Sequence, residues 1–141
     1  MALSTAVSTE DVMQVLRHAL VTDSTIAAGV GDNIWTSHVM DADAASVPFP
    51  CIVMSVEGGS GFYNGVLQFV TIDIYAYSKI SQGQAASIYD KIYKVLQANR
   101  LALDNVDSKG MITENERPSA MYNESLKAWA MRGIWIALTA G

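Results

Sequence analysis

Two histidines, one cysteine and a few closely spaced carboxylates are the side chains in this sequence best suited to chemistry. A zinc site needs nitrogen or sulfur ligands at short spacing. His18 and His38 fall in different elements with no cysteine pair to complete a set, so each reads as a surface or helix-face histidine. The stretch Asp104 to Gly110 offers oxygen ligands, but Val106 holds the third position and no Glu closes the loop, so the calcium pattern fails. Cys51 follows Pro50 at the start of an apolar run, the setting of a small core hydrophobe rather than a nucleophile. No G-x-S-x-G elbow anchors a serine triad. The glycine tract 58–65 leads into a strand pattern rather than a helix, and no Lys occurs between Met1 and Tyr77, so a phosphate loop is excluded. Asp41 with Asp43, and Glu114 with Glu116, sit in polar stretches with no sign of the cleft that would separate their pKa values. The residues assign no catalytic group, metal or cofactor.

The elements that carry these residues follow from periodicity. Ser8 with Asp11 makes a capping box ahead of Val12, Val15, Leu16, Ala19 and Leu20 at helical spacing. Asp23 caps a short helical run, Ser24 to Ala28, that Gly29, Gly31 and Asn33 stop, and Ile34-Trp35 opens an extended segment. Residues 40–50 read as a loop because Pro48 and Pro50 bias their predecessors away from helix. Alternation predicts strands over 51–57 and 66–77, joined by a long flexible tip over 58–65 that exposes Phe62 and Tyr63. Ser81 with Gln84 caps the clearest helix, whose stripe is Ala85, Ile88, Ile92, Val95 and Leu96 and which Asn99 stops. Asp90 and Lys94 face away from that stripe. After a loop at 104–109, short strands are predicted at 110–114 and 119–123, and a last one at 127–138. That last strand puts Ala128, Ala130, Ile134, Ile136 and Leu138 on one face, interrupted by Arg132, with Trp129, Met131 and Trp135 opposite.

This order predicts an α+β fold: a mostly antiparallel sheet with two main helices packed on one face, in a single domain over residues 1–141. The far face is expected to carry Tyr75, Tyr77, Trp129 and Trp135, an aromatic area that needs a loop or another subunit to cover it.

Composition narrows the function classes. Of the 141 residues 50% are hydrophobic and 16% charged, too apolar for a disordered chain. Nine basic residues against fourteen acidic ones give a net charge of -5, and the basic ones are scattered singly, which excludes a nucleic-acid patch or adsorption to an anionic membrane. The lone Cys51 rules out an internal disulfide. With no basic segment before a long apolar run, and no apolar stretch near the ~20 residues that cross a bilayer, the expectation is a soluble protein made inside the cell.

The succession of segments resembles the tail-completion or tail-terminator family of tailed bacteriophages. The residues that carry it are the helix end Leu16-Arg17-His18-Ala19-Leu20, the turn-rich run Asp23 to Trp35, and Pro48-Phe49-Pro50-Cys51-Ile52-Val53-Met54-Ser55. The strand Val70 to Ser78, the amphipathic helix after it, and Ala130-Met131-Arg132-Gly133-Ile134-Trp135-Ile136 complete the pattern, which spans about residues 9–138. The resemblance implies a structural role without catalysis. It implies that copies form a ring, commonly a hexamer, on the head-proximal end of the tail tube, and that the ring stops tube growth and offers the docking surface for the head. The implied partners are the chain itself, the tail tube protein and a neck or connector protein. The implied location is the virion tail and neck, after synthesis in the host cytoplasm. DNA passes through such a ring without specific binding, and the negative charge suits that passage.

On the expected tip, Phe62, Tyr63 and Asn64 are the candidate contacts with the tube or a neighbouring copy, followed by Asp41 and Asp43 on the earlier loop. Two other readings fit the same residues. One is another neck or head-completion connector. The other is a small oligomeric enzyme or ligand-binding domain with its pocket over Tyr75, Tyr77 and Trp135. The helix assignment has a direct test in chemical denaturation. Ile92→Ala should cost on the order of 2–5 kcal/mol as a core truncation, and Lys94→Ala only a few tenths of a kcal/mol as a surface change.

Overall fold

The structure is a computed structural model and describes residues 9–31, 33–36, 49–62, 67–97, 99–102, 109–124 and 126–140. Two helices open it, α1 (Thr9–Val21) and α2 (Ser24–Val30). The short strand β1 (Ile34–Trp35), the hairpin strands β2 (Cys51–Phe62) and β3 (Leu67–Ser78), and the helix α3 (Gln82–Leu96) follow. Then come β4 (Asn99–Ala102), β5 (Lys109–Asn123) and β6 (Ala128–Ala140). The six strands form one sheet in the order β1-β2-β3-β6-β5-β4. Every pairing is antiparallel except β1 with β2. The α+β class and the mostly antiparallel sheet are as the periodicity predicts.

The caps are local chemistry. Asp23 accepts from the N–H groups of Thr25 and Ile26 at the start of α2. Gly31 ends that helix at φ 64°, ψ −131°, a conformation open to glycine alone. Ser81 accepts from the Gln84 N–H at 3.1 Å, as the capping box requires. The reciprocal arm differs. The Gln84 side chain bonds the Ser78 hydroxyl, and Ser78 Oγ in turn accepts from the N–H groups of Ile80 and Ser81. The predicted partner at the first cap, Ser8, lies outside the described residues.

All three helices pack on one face of the sheet. Val12, Leu16, Leu20, Ile26, Val30, Ile88, Tyr89, Ile92 and Leu96 meet Ile52, Met54, Val70, Ile72, Ile74, Ile112, Trp135 and Ala137 in one apolar core. Burial of this stripe holds the layers together, at about 1.5–3 kcal/mol for each large aliphatic side chain.

Four expectations are corrected. The glycine tract does not form a long loop: β2 runs through Gly58, Gly59, Ser60 and Gly61 to Phe62, paired residue by residue with Thr71 to Leu67 beyond a bulge after Val56. Glycine's weak strand preference is overridden because β3 is held by β6 along its whole length and serves as a template. Asn99 is no helix stop but the first residue of β4. The two short strands 110–114 and 119–123 are one strand, β5, with register shifts at Glu114/Glu116 and Glu116/Ser119. Pro118 is tolerated there because it falls within the second register shift, where no residue of β6 pairs with it, and among the described residues β4 pairs with Lys109 to Ile112 alone.

The fourth correction concerns Trp135, placed by expectation beside Tyr75 and Tyr77. It lies on the helix face, 0% exposed, packed on Tyr89 and Tyr93 of α3 with ring centroids 6.4 and 6.1 Å away. Its Nε1–H donates to Tyr89 Oη at 3.0 Å, and the Tyr89 hydroxyl donates to Glu114 Oε2 at 2.6 Å. Gly133 makes room for this relay, since a Cβ there would stand 1.7 Å from Tyr89 Oη. Gly133→Ala should therefore lower stability by about 2–4 kcal/mol, combining overpacking with a displaced buried hydrogen bond. Tyr89→Phe, which strips Trp135 of its acceptor without crowding, should cost about 1–2 kcal/mol. Urea titration of both variants distinguishes the two effects.

Candidate functional site

The face turned away from the helices gathers the less expected side chains. Along β3 it carries Thr71, Asp73, Tyr75 and Tyr77, and along β6 Ala128, Ala130, Arg132, Ile134 and Ile136, because side chains alternate across a strand. At one end a second apolar cluster forms from Cys51, Val53, Tyr77, Leu126, Ala128 and Ala130, with Trp35, Phe49 and Tyr75 against it. Phe49 meets Tyr77 edge-on at 6.4 Å, and Lys79 Nζ sits 4.9 Å from the Phe49 ring centroid.

An ion pair occupies the middle of this face. Arg132 Nη2 donates to both oxygens of Asp73, each at 3.1 Å, and its guanidinium carbon lies 5.8 Å from the centroid of Tyr75. Tyr75 stacks on Tyr77 in turn, 5.6 Å apart and 5° from parallel. Asp73 is 6% exposed and meets the guanidinium with both oxygens, whereas the Arg132 side chain keeps 32% of its surface. One signal pointed to this pair: Arg132 interrupts an otherwise apolar strand face. Glu114 was missed as a structural group, since the sequence places it in a polar stretch and only the fold brings Tyr89 to it.

The chemistry of the described groups is quiet. Burial pushes the Cys51 thiol from its ordinary value of 9.0 up to about 12, so it is no thiolate at neutral pH. Burial likewise raises Tyr77 to about 12. The Asp23 carboxyl is held below its usual range, first by the Thr25 hydroxyl and then by the Ile26 N–H. It lines an open groove of about 500 Å³ with Thr25, Lys91, Lys94 and Val95, whose charges are of both signs. Among the described residues, no three His, Cys, Asp or Glu side chains converge on a point a metal ion could occupy. No described helix is long and apolar enough to cross a membrane. The residues expected to line one pocket, Tyr75, Tyr77 and Trp135, do not share a face: Trp135 packs in the core under the helices and the two tyrosines on the opposite side of the sheet.

Of the candidate contact residues, Phe62 ends β2 opposite Leu67 in the backbone register. Tyr63, Asn64, Asp41 and Asp43 lie outside the described residues, as does His38. His18 is exposed near the end of α1. Exposed apolar area appears instead at the β5–β6 hairpin, where Met121, Tyr122 and Trp129 are 44%, 42% and 37% exposed. Tyr122 and Trp129 lie directly opposite in register, with ring centroids 4.8 Å apart.

A family model described as "Tail completion protein gp17" matches residues 14–119, about three quarters of the chain. Among solved structures, a chain of the "Virion of native gene transfer agent (GTA) particle" superposes with a TM-score of 0.70 at 14% sequence identity. That superposition covers 99% of this chain and 98% of the other, and the likeness is one of fold. No curated protein matches the chain.

The thiol environment gives a test of the second apolar cluster. Because the folded thiol titrates higher than the unfolded one, its contribution to stability is fully present below pH 9.0 and is lost as pH rises toward about 12. Native protein at pH 8 should resist iodoacetamide at Cys51, and denatured protein should be alkylated at once; rapid labelling of the native chain would contradict the burial.

Proposed function

The chain belongs to the tail completion protein family of tailed bacteriophages and is a structural protein of the virion tail; on that premise we propose that copies of it form a ring, a hexamer, that caps the head-proximal end of the tail tube. The cap ends tube polymerisation and offers the docking surface for the head and neck. The observation that carries this reading is the family match over residues 14–119, which spans all three helices and five of the six strands in part or whole. The work is assembly rather than catalysis. One surface of the ring imitates the next tube ring, and the other offers no site for a further one, so growth stops without a chemical step.

The partners under this reading are neighbouring copies, the tail tube protein and a neck connector. Phe62, which ends β2, and Tyr63 and Asn64, which follow it in sequence, are the proposed contacts with the tube or a neighbour, with Asp41 and Asp43 as second choices. The excess of acidic residues keeps DNA sliding through the ring rather than adhering to it.

Electron microscopy of particles from a strain lacking the gene tests the reading. Tails of uncontrolled length indicate termination. Normal tails beside unjoined filled heads indicate instead a connector between tail and head, and normal infectious particles overturn both roles. Replacing Phe62 and Tyr63 together by Ser should lower infectivity at least tenfold while leaving the thermal unfolding midpoint unchanged. Full infectivity with normal tails would remove the hairpin end from the mechanism.

A further inference from the structure

A sheet with two ends must dispose of the backbone groups along its outer strands, and in this sheet the ladders reveal which ones. The Ile52 N–H donates to the Asn33 carbonyl beside β1 at 2.9 Å, so Ile52 faces outward and its neighbour Cys51 faces β3. In an antiparallel ladder, opposed residues alternately exchange two hydrogen bonds or none. Carried across Cys51↔Tyr77, Tyr77↔Ala130 and Ala130↔Met121, this alternation aims the N–H and C=O of Met121 at β6 and those of Ala120 and Tyr122 out of the sheet. The same rule makes Glu114, opposite Trp135, face outward, and its N–H indeed donates to the Gln97 side chain at 3.1 Å.

The outward groups of β5 can then be followed in turn. Gly110 and Ile112 pair with Leu101 and Asn99 of β4, Glu114 is met by Gln97, and Pro118 has no N–H. The register shifts interrupt the alternation between Glu114 and Ser119; past them Ala120 and Tyr122 face outward, and among the described residues no strand lies beside them. Both faces of the strand are bare here as well: Ala120, Met121 and Tyr122 are all exposed. Among the described residues, the opposite margin of the sheet has a matching edge. β1 covers only Ile52 and Val53 of β2, and the alternation turns Gly59 and Gly61, opposite Val70 and Gln68, outward.

We propose that the outer edge of β5 at Ala120–Tyr122 is a strand-addition site, and that its occupant is the glycine-rich edge of β2 in a second copy of the chain. This inference rests on the ring reading and names the joint between neighbours. β2 and β5 run in opposite directions through the sheet, so copies joined this way continue it antiparallel. The bulk is complementary too. Gly59 and Gly61 carry no side chain, and an aromatic ring such as Tyr122 covers a glycine on the neighbouring strand. Joining one edge to the opposite edge of the next copy is a heterologous contact, the kind that closes into a ring.

The test uses particles assembled from chains carrying Ala120→Cys and Gly59→Cys together, treated with a short bismaleimide cross-linker and separated on a denaturing gel. Particles with either single cysteine are the controls. A ladder of covalent multimers from the double variant alone is the expected result. Ala120→Pro should reduce incorporation into particles at least tenfold while leaving the circular dichroism of the purified chain unchanged, because the Ala120 N–H makes no bond to β6. Several copies per particle with no ladder, and normal incorporation of Ala120→Pro, would overturn the joint and leave the ring standing. A single copy per particle in the parent would overturn the ring, and the joint with it.

Discussion

The contact between α3 and the sheet through Trp135 is the constraint on which the rest of the architecture depends. A tryptophan with no exposed surface must find an acceptor for its N–H, and Tyr89 supplies one from α3 while passing its own proton toward Glu114 of β5. The relay joins three elements that are far apart in the chain. It is possible only because residue 133 lacks a Cβ, so that the Tyr89 hydroxyl reaches the backbone of β6. With α3 fixed against the sheet, α1 and α2 close the apolar core beside it. Gln97, just past the end of α3, then falls where it can meet the outward N–H of Glu114.

The opposite face is organised on a different principle. Its centre is an ion pair with a nearly buried carboxylate, flanked by stacked tyrosines, rather than a continuous apolar layer. Such a pair contributes little net stability, because desolvation offsets most of the attraction, but it fixes geometry. Arg132 is held in place by Asp73 and Tyr75, and the face keeps a rigid, mixed surface. Surfaces of that kind, preorganised and only partly apolar, resemble those of protein interfaces. The thiol and phenol in this layer are buried and stay protonated at neutral pH, which suits scaffolding.

The sheet margins follow a third principle. Natural edges are short, charged, or blocked by proline and bulges. β5 is covered first by β4 and the Gln97 side chain and then carries Pro118 between register shifts, and among the described residues nothing of the kind follows over Ala120–Tyr122. Met121, Tyr122 and Trp129 are exposed at the same place, where a free strand edge beside apolar side chains favours pairing with another chain. The membership in a tail completion family supplies the context in which such an edge has a use.

Much of this was determined by the sequence alone, wherever the deciding interactions are local. The caps at Asp23 and Ser81, the stripe of α3, the alternation of β3 and the α+β order all follow from contacts within a few residues. The same holds for the resemblance to tail-completion proteins, carried by the order of those segments. Tertiary structure decided the rest, because those outcomes depend on partners distant in sequence. Periodicity says that Trp135 alternates with Ile134 but not which face receives α3. Glycine preference argues for a loop at 58–61, yet a strand forms because β3, itself pinned by β6, offers a ladder to pair with. Asn99 reads as a helix stop, and becomes a strand because Ile112 lies across from it. Asp73 and Arg132 are fifty-nine residues apart and meet only through the register of β3 with β6. That among the described residues no strand comes beside Ala120 and Tyr122 is invisible to any local pattern, since an edge is defined by distant strands.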